Sequence, residues 1–303
     1  MKVFVTGATG FIGPHLVRRL ADAGHQVFVL DRSPEKARPM PGGAVRVEGD
    51  GTVSGAWQEE VSRCDAVINL AGITIFQRWN ARVKEQLTAS RIDTTRNVVD
   101  ALRARRGVST RLLSGSAIGY YGSRGDETLN EGSVPAGDFM ARMARDWENA
   151  ALEAESLGVK VAVCRFGIVL GKNGGALGQM LPLFRLGLGS PLGAGKQWFS
   201  WIHVDDLVAG LIFLLQHEEV VGPVNLTAPE PVRNSEFTRA LGKAIKRPTF
   251  LPAVPGLALR LALGQVAQVL VEGQRVLPDR LLKSGFKFRY PTLQDALRDL
   301  VTA

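Results

Sequence analysis

Apolar positions recur along this chain first as short runs and then at helical spacing, and that alternation predicts its architecture. Val3, Phe4 and Val5 form a run ended by Thr6, and Leu16, Val17 and Leu20 follow at the spacing of a helix opening at about Phe11. A second strand over residues 26–30 ends at Asp31. Residues 45–48, 66–70 and 111–114 read as further strands, and 160–166 as a sixth. Between them, Leu87, Ile92, Val98, Val99 and Leu102 mark a long helix over about 83–104, and a second helical pattern covers 140–157. Strand and helix alternating at this length predict an α/β fold: a Rossmann-like, doubly wound parallel sheet with right-handed crossovers. The character changes after Gly167. Residues 171–195 are glycine-rich around an apolar segment at 180–188, and 198–204 reads as an extended return. A helix over 207–215 is expected next, capped by Asp205 or Asp206, then a last sheet strand at 224–226. From Pro229 the chain turns to short helices and proline-rich turns.

The first strand runs into glycines at positions 7, 10 and 13 just before the helix. A strand turning on glycine into a helix N-terminus presents unpaired backbone N–H groups and lets a pyrophosphate approach closely, so Gly7, Thr9, Gly10, Phe11, Ile12 and Gly13 are expected to bind a dinucleotide. Asp31, at the end of the second strand, stands where a ribose-binding acid is expected. The predicted organisation is a dinucleotide-binding domain over 1–171, to which 198–227 returns, and a smaller, mainly helical lobe built from 172–197 and 228–303.

Composition narrows the classes. The 303 residues are 45% hydrophobic and 22% charged, as in an ordinary globular protein with a large core. The net charge is +8, but the cations are scattered; the local cluster Arg103, Arg105 and Arg106 lies at a helix end, where cations offset the dipole. A basic balance of this kind suits a phosphate-bearing small ligand better than nucleic acid. The two cysteines, Cys64 and Cys164, form no metal or redox motif. Asp205 and Asp206 have no third ligand at metal spacing, so no metal is expected. The chain opens directly on a strand, leaving no room for a signal peptide, and no apolar run reaches the roughly 18 residues of a membrane span; a cytoplasmic protein with no membrane partner is expected. The oligomeric state is left open.

Several segments together resemble the extended short-chain dehydrogenase/reductase superfamily, which includes sugar-nucleotide epimerases. They are TGATGFIG at the start, Asn69-Leu70-Ala71-Gly72, Tyr121-Gly122, and His203-Val204-Asp205-Asp206-Leu207. More narrowly, Arg78-Trp79-Asn80, Ser90-Arg91, SGSAIGYYG (114–122), FGIVLGKNGGAL (166–177) and QWFSWIH (197–203) are similar to a subfamily of uncharacterised epimerase-like proteins. EGQRVLPDRLLKSGFKF (272–288) resembles that subfamily's C-terminal domain of unknown function.

The resemblance implies an NAD(P)-binding protein that transfers hydride to or from an unknown substrate, such as a nucleotide sugar or a small carbonyl compound. It places Leu70, Ala71, Gly72, Arg91 and Ser114 beside the cofactor. Arg32 favours a 2′-phosphate, hence NADP, whereas Asp31 by itself favours NAD. The superfamily's chemistry normally uses a Tyr-x-x-x-Lys pair with a serine. Here the resemblance puts Phe139 and Met143 at those positions, and none of the three tyrosines has a lysine four residues on. Ser116, Tyr120 and Tyr121 are the remaining catalytic candidates. Arg78, Trp201 and His203, with Trp79 and Trp198 near them, suit a flat or anionic substrate; core packing and a structural histidine are the alternatives. The missing pair also admits a non-catalytic NADP(H) sensor.

Overall fold

The computed structural model describes residues 1–33, 40–172 and 174–301; Asn173 of the FGIVLGKNGGAL stretch lies outside the described residues. Strands β1 (Lys2–Thr6), β2 (Gln26–Asp31), β3 (Val45–Glu48), β4 (Ala66–Asn69) and β5 (Arg111–Ala117) enter one sheet in turn. β6 (Thr128–Leu129) lies outside it, β7 (Lys160–Phe166) returns, and β8 (Ile168–Gly171), β9 (Trp198–Phe199) and β10 (Trp201–His203) leave again before β11 (Gly222–Leu226) forms the edge. The described sheet has seven strands in the order β11-β7-β5-β4-β1-β2-β3, every neighbour parallel. The chain winds outward from β1 in both directions, so the strand order reverses between β1 and β4. That is where a doubly wound sheet opens a crevice at its carboxyl edge.

Both faces of the sheet are covered, which is why its inner strands read as largely apolar runs, whereas edge strand β3 alternates. On one face Val3, Val5 and Ile68 pack against Leu16 and Leu20 of α1 (Gly13–Asp22). Successive strand residues point to opposite faces. Phe4, Phe28 and Leu112 therefore meet the other layer: Trp57 of α2 (Trp57–Ser62), Val98 and Leu102 of α3 (Ala81–Leu102), and Ala151 of α4 (Phe139–Leu152). α3 begins two residues before the apolar pattern does, because Asn80 caps it by accepting a bond from the Val83 amide at 2.9 Å. β5 runs three residues past the expected end at 114, which carries Ser116 to the carboxyl edge.

Beyond β8, helix α5 (Gly175–Arg185) and helix α6 (Val204–Gln216) follow, α6 packing Leu207 and Leu211 on the α1 face. After β12 (Val232–Arg233) comes α7 (Asn234–Ala244), and β13 (Arg275–Val276) lies among the short terminal helices. The C-terminal lobe has its own core, in which Leu177, Phe184, Phe199, Trp201, Phe237 and Leu293 meet. Short pairs tie it to the sheet domain: β8 with β10, β9 with β12, and β6 with β13. The return expected as one extended segment over 198–204 is broken at Ser200. Its hydroxyl donates to the Gln274 carbonyl at 2.6 Å and accepts from the Val276 amide at 3.0 Å.

The cap of α6 differs from expectation. His203 fills that place, its Nδ1 accepting from the Asp205 amide at 3.0 Å. Asp206 instead turns to the tail and accepts from the amides of Arg289 and Tyr290 at 2.8 and 2.9 Å. Cys64 and Cys164 are buried and free, and burial pushes both thiols up to about 12. In the basic cluster, Arg103 pairs with Asp100 and Arg105 with Thr110, as befits a solvated helix end. Among the described residues no helix is long and apolar enough to cross a membrane, and no three His, Cys, Asp or Glu side chains gather as a metal site.

Candidate active site

A cleft of about 960 Å³ lies along the carboxyl edge of the sheet, crossing the point where the strand order reverses. Gly7, Thr9, Gly10, Phe11 and Ile12 line it, as do Asp31, Arg32, Leu70, Ala71, Gly72, Arg91 and Ser116. The glycines have distinct duties. Gly7 holds φ +67°, and a Cβ there would fall 2.5 Å from the Leu70 carbonyl oxygen, so the loop after β1 touches the loop after β4 backbone to backbone. Gly13 does not line the cleft. It lets α1 start against Ala8, whose carbonyl oxygen would be 2.0 Å from any Cβ. α1 carries no side-chain cap, but Pro14 in its first turn has no N–H, so the backbone of Thr9–Ile12, which lines the cleft ahead of the helix, is what an anion can reach. Phe11 packs in turn against Gly171, Gly174 and Gly175, where added Cβ atoms would lie 2.2–2.8 Å from its ring. Three of the four glycines of the FGIVLGKNGGAL stretch are thus a seat for Phe11, while Gly167 lies against the Ser200 carbonyl.

Buried polar groups hold the floor. Thr6 donates to Asn69 at 2.6 Å, Asn69 donates to Thr95 at 2.7 Å, and the Trp147 indole donates to the same Thr95 hydroxyl at 2.9 Å. The Ala71 amide donates to Thr6 Oγ1 at 3.2 Å, which fixes the Leu70–Ala71–Gly72 turn. Ser114 belongs to this floor: it is fully buried, accepts a long 3.4 Å bond from Asn69, and does not reach the cleft.

The charged groups at the dinucleotide end are arranged unevenly. Arg91 lies against Gly72 and over the Trp147 ring, and donates to the carbonyls of Leu87 and Ile73 at 3.0 Å each. Burial lowers its guanidinium to about 10, and among the described residues it has no carboxylate partner. A half-buried cation facing a cleft without a counter-ion is well placed for an anionic ligand. Asp31, the expected ribose acid, pairs with Arg46 on the neighbouring strand β3 and accepts from the Ser33 amide at 3.1 Å. Sequence reasoning missed Arg46, because only the register of β2 on β3 brings it beside Asp31. Arg32 stays exposed at the rim near Asp50, whose pKa it helps to lower after the Thr52 amide and hydroxyl.

The catalytic candidates separate. Ser116 lines the cleft, and its hydroxyl donates to Glu148 Oε1 at 2.6 Å. Arg165 clamps the same carboxylate with two bonds of 2.7 Å. Neither tyrosine lines the cleft. The Tyr121 hydroxyl donates to Asn225 at 2.7 Å and accepts from Arg165 at 2.8 Å; its ring is wholly buried, and burial pushes the phenol up to about 12. Tyr120 stacks on the Arg165 guanidinium, 3.6 Å from its ring centre. Phe139 and Met143, one helical turn apart on α4, both face the cleft. Glu148 had one sequence signal: Arg165 interrupts an apolar strand, and a buried cation there calls for a buried acid.

Of the substrate candidates, Trp79 and Trp198 line the far end, whereas Arg78, Trp201 and His203 do not. Trp201 is a core residue whose indole donates to the Glu230 carbonyl at 3.0 Å. Arg78 reaches the Leu261 carbonyl at 3.4 Å. His203, besides capping α6, stacks on Tyr290 at 3.9 Å and lies 3.3 Å from Asp299. Burial lowers the His203 pKa against the upward pull of Asp205, Asp299 and Asp206. The unfolded chain then takes up a proton near pH 6.5 that the fold refuses, so this contribution is intact above that pH and is lost as pH falls through it. His25, lowered mainly by burial, acts in the same direction. Urea midpoints are expected to drop between about pH 7 and about pH 5, with a shallower drop in His203→Asn, which can still cap the helix. An equal drop in that variant would rule His203 out as a contributor.

Residues 3–226 match the NAD dependent epimerase/dehydratase family model, and residues 254–300 match a domain of unknown function, DUF1731. This chain belongs to the NAD dependent epimerase/dehydratase family. Within that family it is 43% identical to the Arabidopsis thaliana epimerase family protein SDR39U1 homolog, chloroplastic, over 99% of this chain and 87% of that one. Among solved structures, human epimerase family protein SDR39U1 with NADPH superposes with a TM-score of 0.85 at 33% identity, covering 99% of both chains. MoeE5 in complex with UDP-glucose and NAD, at 22% identity and a TM-score of 0.77 over 99% of this chain and 97% of that one, is alike in fold. The seven-stranded sheet and helical C-terminal region are therefore the family's architecture.

Proposed function

We propose that this chain binds NADP(H) along the cleft and supports hydride transfer to or from a small hydroxyl or carbonyl compound. The observation that carries this is the facing of the Gly7–Gly10 turn by Leu70–Gly72, with the half-buried cation Arg91 against Gly72. A dinucleotide pyrophosphate would take the glycine turn and the Phe11–Ile12 backbone that leads into α1. Asp31 would meet the adenosine ribose with its charge opposed by Arg46, and Arg32 would take the 2′-phosphate. The human relative solved with NADPH supports the same cofactor. In the proposed division, residues 1–171 with 198–227 hold the dinucleotide, and 172–197 with 228–303 serve the substrate.

Bound nicotinamide would supply or accept the hydride; proton handling falls to the chain. Phe139 and Met143 offer no proton, so Ser116 is the candidate. In the oxidising direction its Oγ takes the substrate hydroxyl proton as its own passes to Glu148 Oε1. Arg165 holds that carboxylate in place and acts as a positioning residue. The apolar pair on α4 also favours a second reading, an NADP(H) sensor without turnover.

Thermal unfolding with the four dinucleotides tests the cofactor. NADPH at ~100 times its Kd should stabilise the fold by about 2.7 kcal/mol, and no shift with any of the four would overturn the reading. In Arg32→Ala, affinity for NADPH should fall about tenfold (~1.4 kcal/mol) while that for NADH holds; equal losses would contradict the 2′-phosphate role. NADPH oxidation across carbonyl compounds, lost in Ser116→Ala, would favour the enzyme. Tight binding without turnover would favour the sensor.

A further inference from the structure

The far end of the cleft indicates the class of molecule that would share it with the dinucleotide, an inference that rests on the NADP(H) reading above. With the pyrophosphate at Gly7–Gly10 and the adenosine at Asp31 and Arg32, the reactive end of the dinucleotide falls across the strand reversal, over β4 and β5. The space beyond is walled by Phe76, Trp79, Phe139, Met140, Ile168 and Trp198. Trp79 and Phe139 meet edge to face, with ring centres 5.5 Å apart.

The charge that lines this end has one sign. Among the described lining residues it carries Asp138 and Glu272 and no lysine or arginine. Lys84 lies 5.0 Å from the centre of the Phe139 ring, and Arg233 and Arg275 lie 3.9 and 4.8 Å from that of Trp198. None of the three lines the cleft, and Arg233 is already paired with Asp126. The N-terminus of α4, which also opens here, is taken by Asp138, whose carboxylate accepts from the Ala141 amide at 3.0 Å. The hydrogen-bonding groups left to a ligand are uncharged, among them Ser123, Gln179 and Gln274.

A nucleoside diphosphate is recognised by paired cations or free helix amides. At this end it would meet two carboxylates and no lining cation; the uncapped N-terminus of α5, whose Gly175 and Ala176 also line the cleft, sits back against Phe11 at the glycine turn. Aromatic walls with neutral polar groups at intervals suit a flat, uncharged ligand that stacks. We infer that the second ligand is a neutral aromatic or conjugated carbonyl or hydroxyl compound, and that nucleoside diphosphate sugars are excluded from this end of the cleft.

The test uses the full chain saturated with NADP⁺, with 2-acetylnaphthalene as the flat neutral probe and UDP-glucose as the diphosphate probe. The first step, stabilisation of the free protein by NADP⁺, reads the cofactor site alone; its failure overturns that reading before either probe is added. With that shift present, 2-acetylnaphthalene should raise the melting temperature further and bind by calorimetry, while millimolar UDP-glucose should do neither. Phe76→Ala should weaken the ketone about fivefold and leave the NADP⁺ shift unchanged, because Phe76 is half exposed and its removal leaves the fold intact. Competition by UDP-glucose, failure of the ketone to bind the loaded protein, or full ketone affinity in Phe76→Ala would each overturn the inference while the cofactor reading stands.

Discussion

Glu148→Ala is expected to destabilise the protein by about 3–5 kcal/mol, read as a drop in the urea midpoint at unchanged slope. Glu148 and Arg165 are 4% and 3% exposed, so removing the carboxylate strands a guanidinium where water cannot reach it. The bidentate clamp at 2.7 Å leaves Arg165 few other acceptors: the Tyr121 hydroxyl at 2.8 Å and the Glu131 carbonyl at 3.4 Å. Glu148→Gln keeps the volume and an acceptor for Ser116, so a smaller loss is expected. Replacing both partners with methionine should recover much of the stability, because the penalty comes from the unpaired charge rather than from the pair itself. A loss below about 1 kcal/mol in Glu148→Ala would mean that the cation finds another partner on relaxation. The same substitution deprives Ser116 of its acceptor. Any turnover should therefore fall even at temperatures where the variant stays folded.

Gly7→Ala should abolish the NADPH-induced stabilisation, about 2.7 kcal/mol at ~100 times the wild-type Kd, and destabilise the free protein by ~1–3 kcal/mol. The methyl group enters a left-handed backbone position, 2.5 Å from the Leu70 carbonyl oxygen and 2.9 Å from the Ala71 amide nitrogen. Neither atom can rotate away, so one of the two loops lining the cleft must retreat. Gly10→Ala is the milder control. Its Cβ would meet only the Gly7 carbonyl, at 3.2 Å, with no positive φ to strain. Retention of the full NADPH shift in Gly7→Ala, measured by thermal unfolding, would show that the cofactor does not depend on this contact.

The parallel sheet was legible because its inner strands are buried on both faces and the crossovers through α2, α3, α4 and α6 carry helical stripes, so two periods alternate. The glycine turn was legible for a similar reason: its conformation restricts the residues that fit. What remained illegible depends on pairing across long sequence separation. The Asp31–Arg46 pair follows from the register of β2 on β3, and the Ser116–Glu148–Arg165 chain joins β5, α4 and β7. No local pattern contains either. The misplacements have local causes. Aromatic and histidine residues in the 197–203 stretch looked like ligand groups, yet alternation along a short strand sends neighbours to opposite sides. Trp198 faces the cleft, while Trp201 and His203 serve the lobe core and the α6 cap. Tyr120 and Tyr121 sit in a single helical turn after β5 that carries both rings to Arg165.

The pairing of β13 with β6, and the contact of Gly273 with the Trp198 backbone, press residues 268–274 against the far wall of the cleft. The glycine turn and residues 268–274, far apart in sequence, thus line opposite ends of one cavity. Substitutions late in the chain can change which compound is accepted without touching the nucleotide grip, so over evolutionary time relatives can keep one cofactor while diverging in what they act upon.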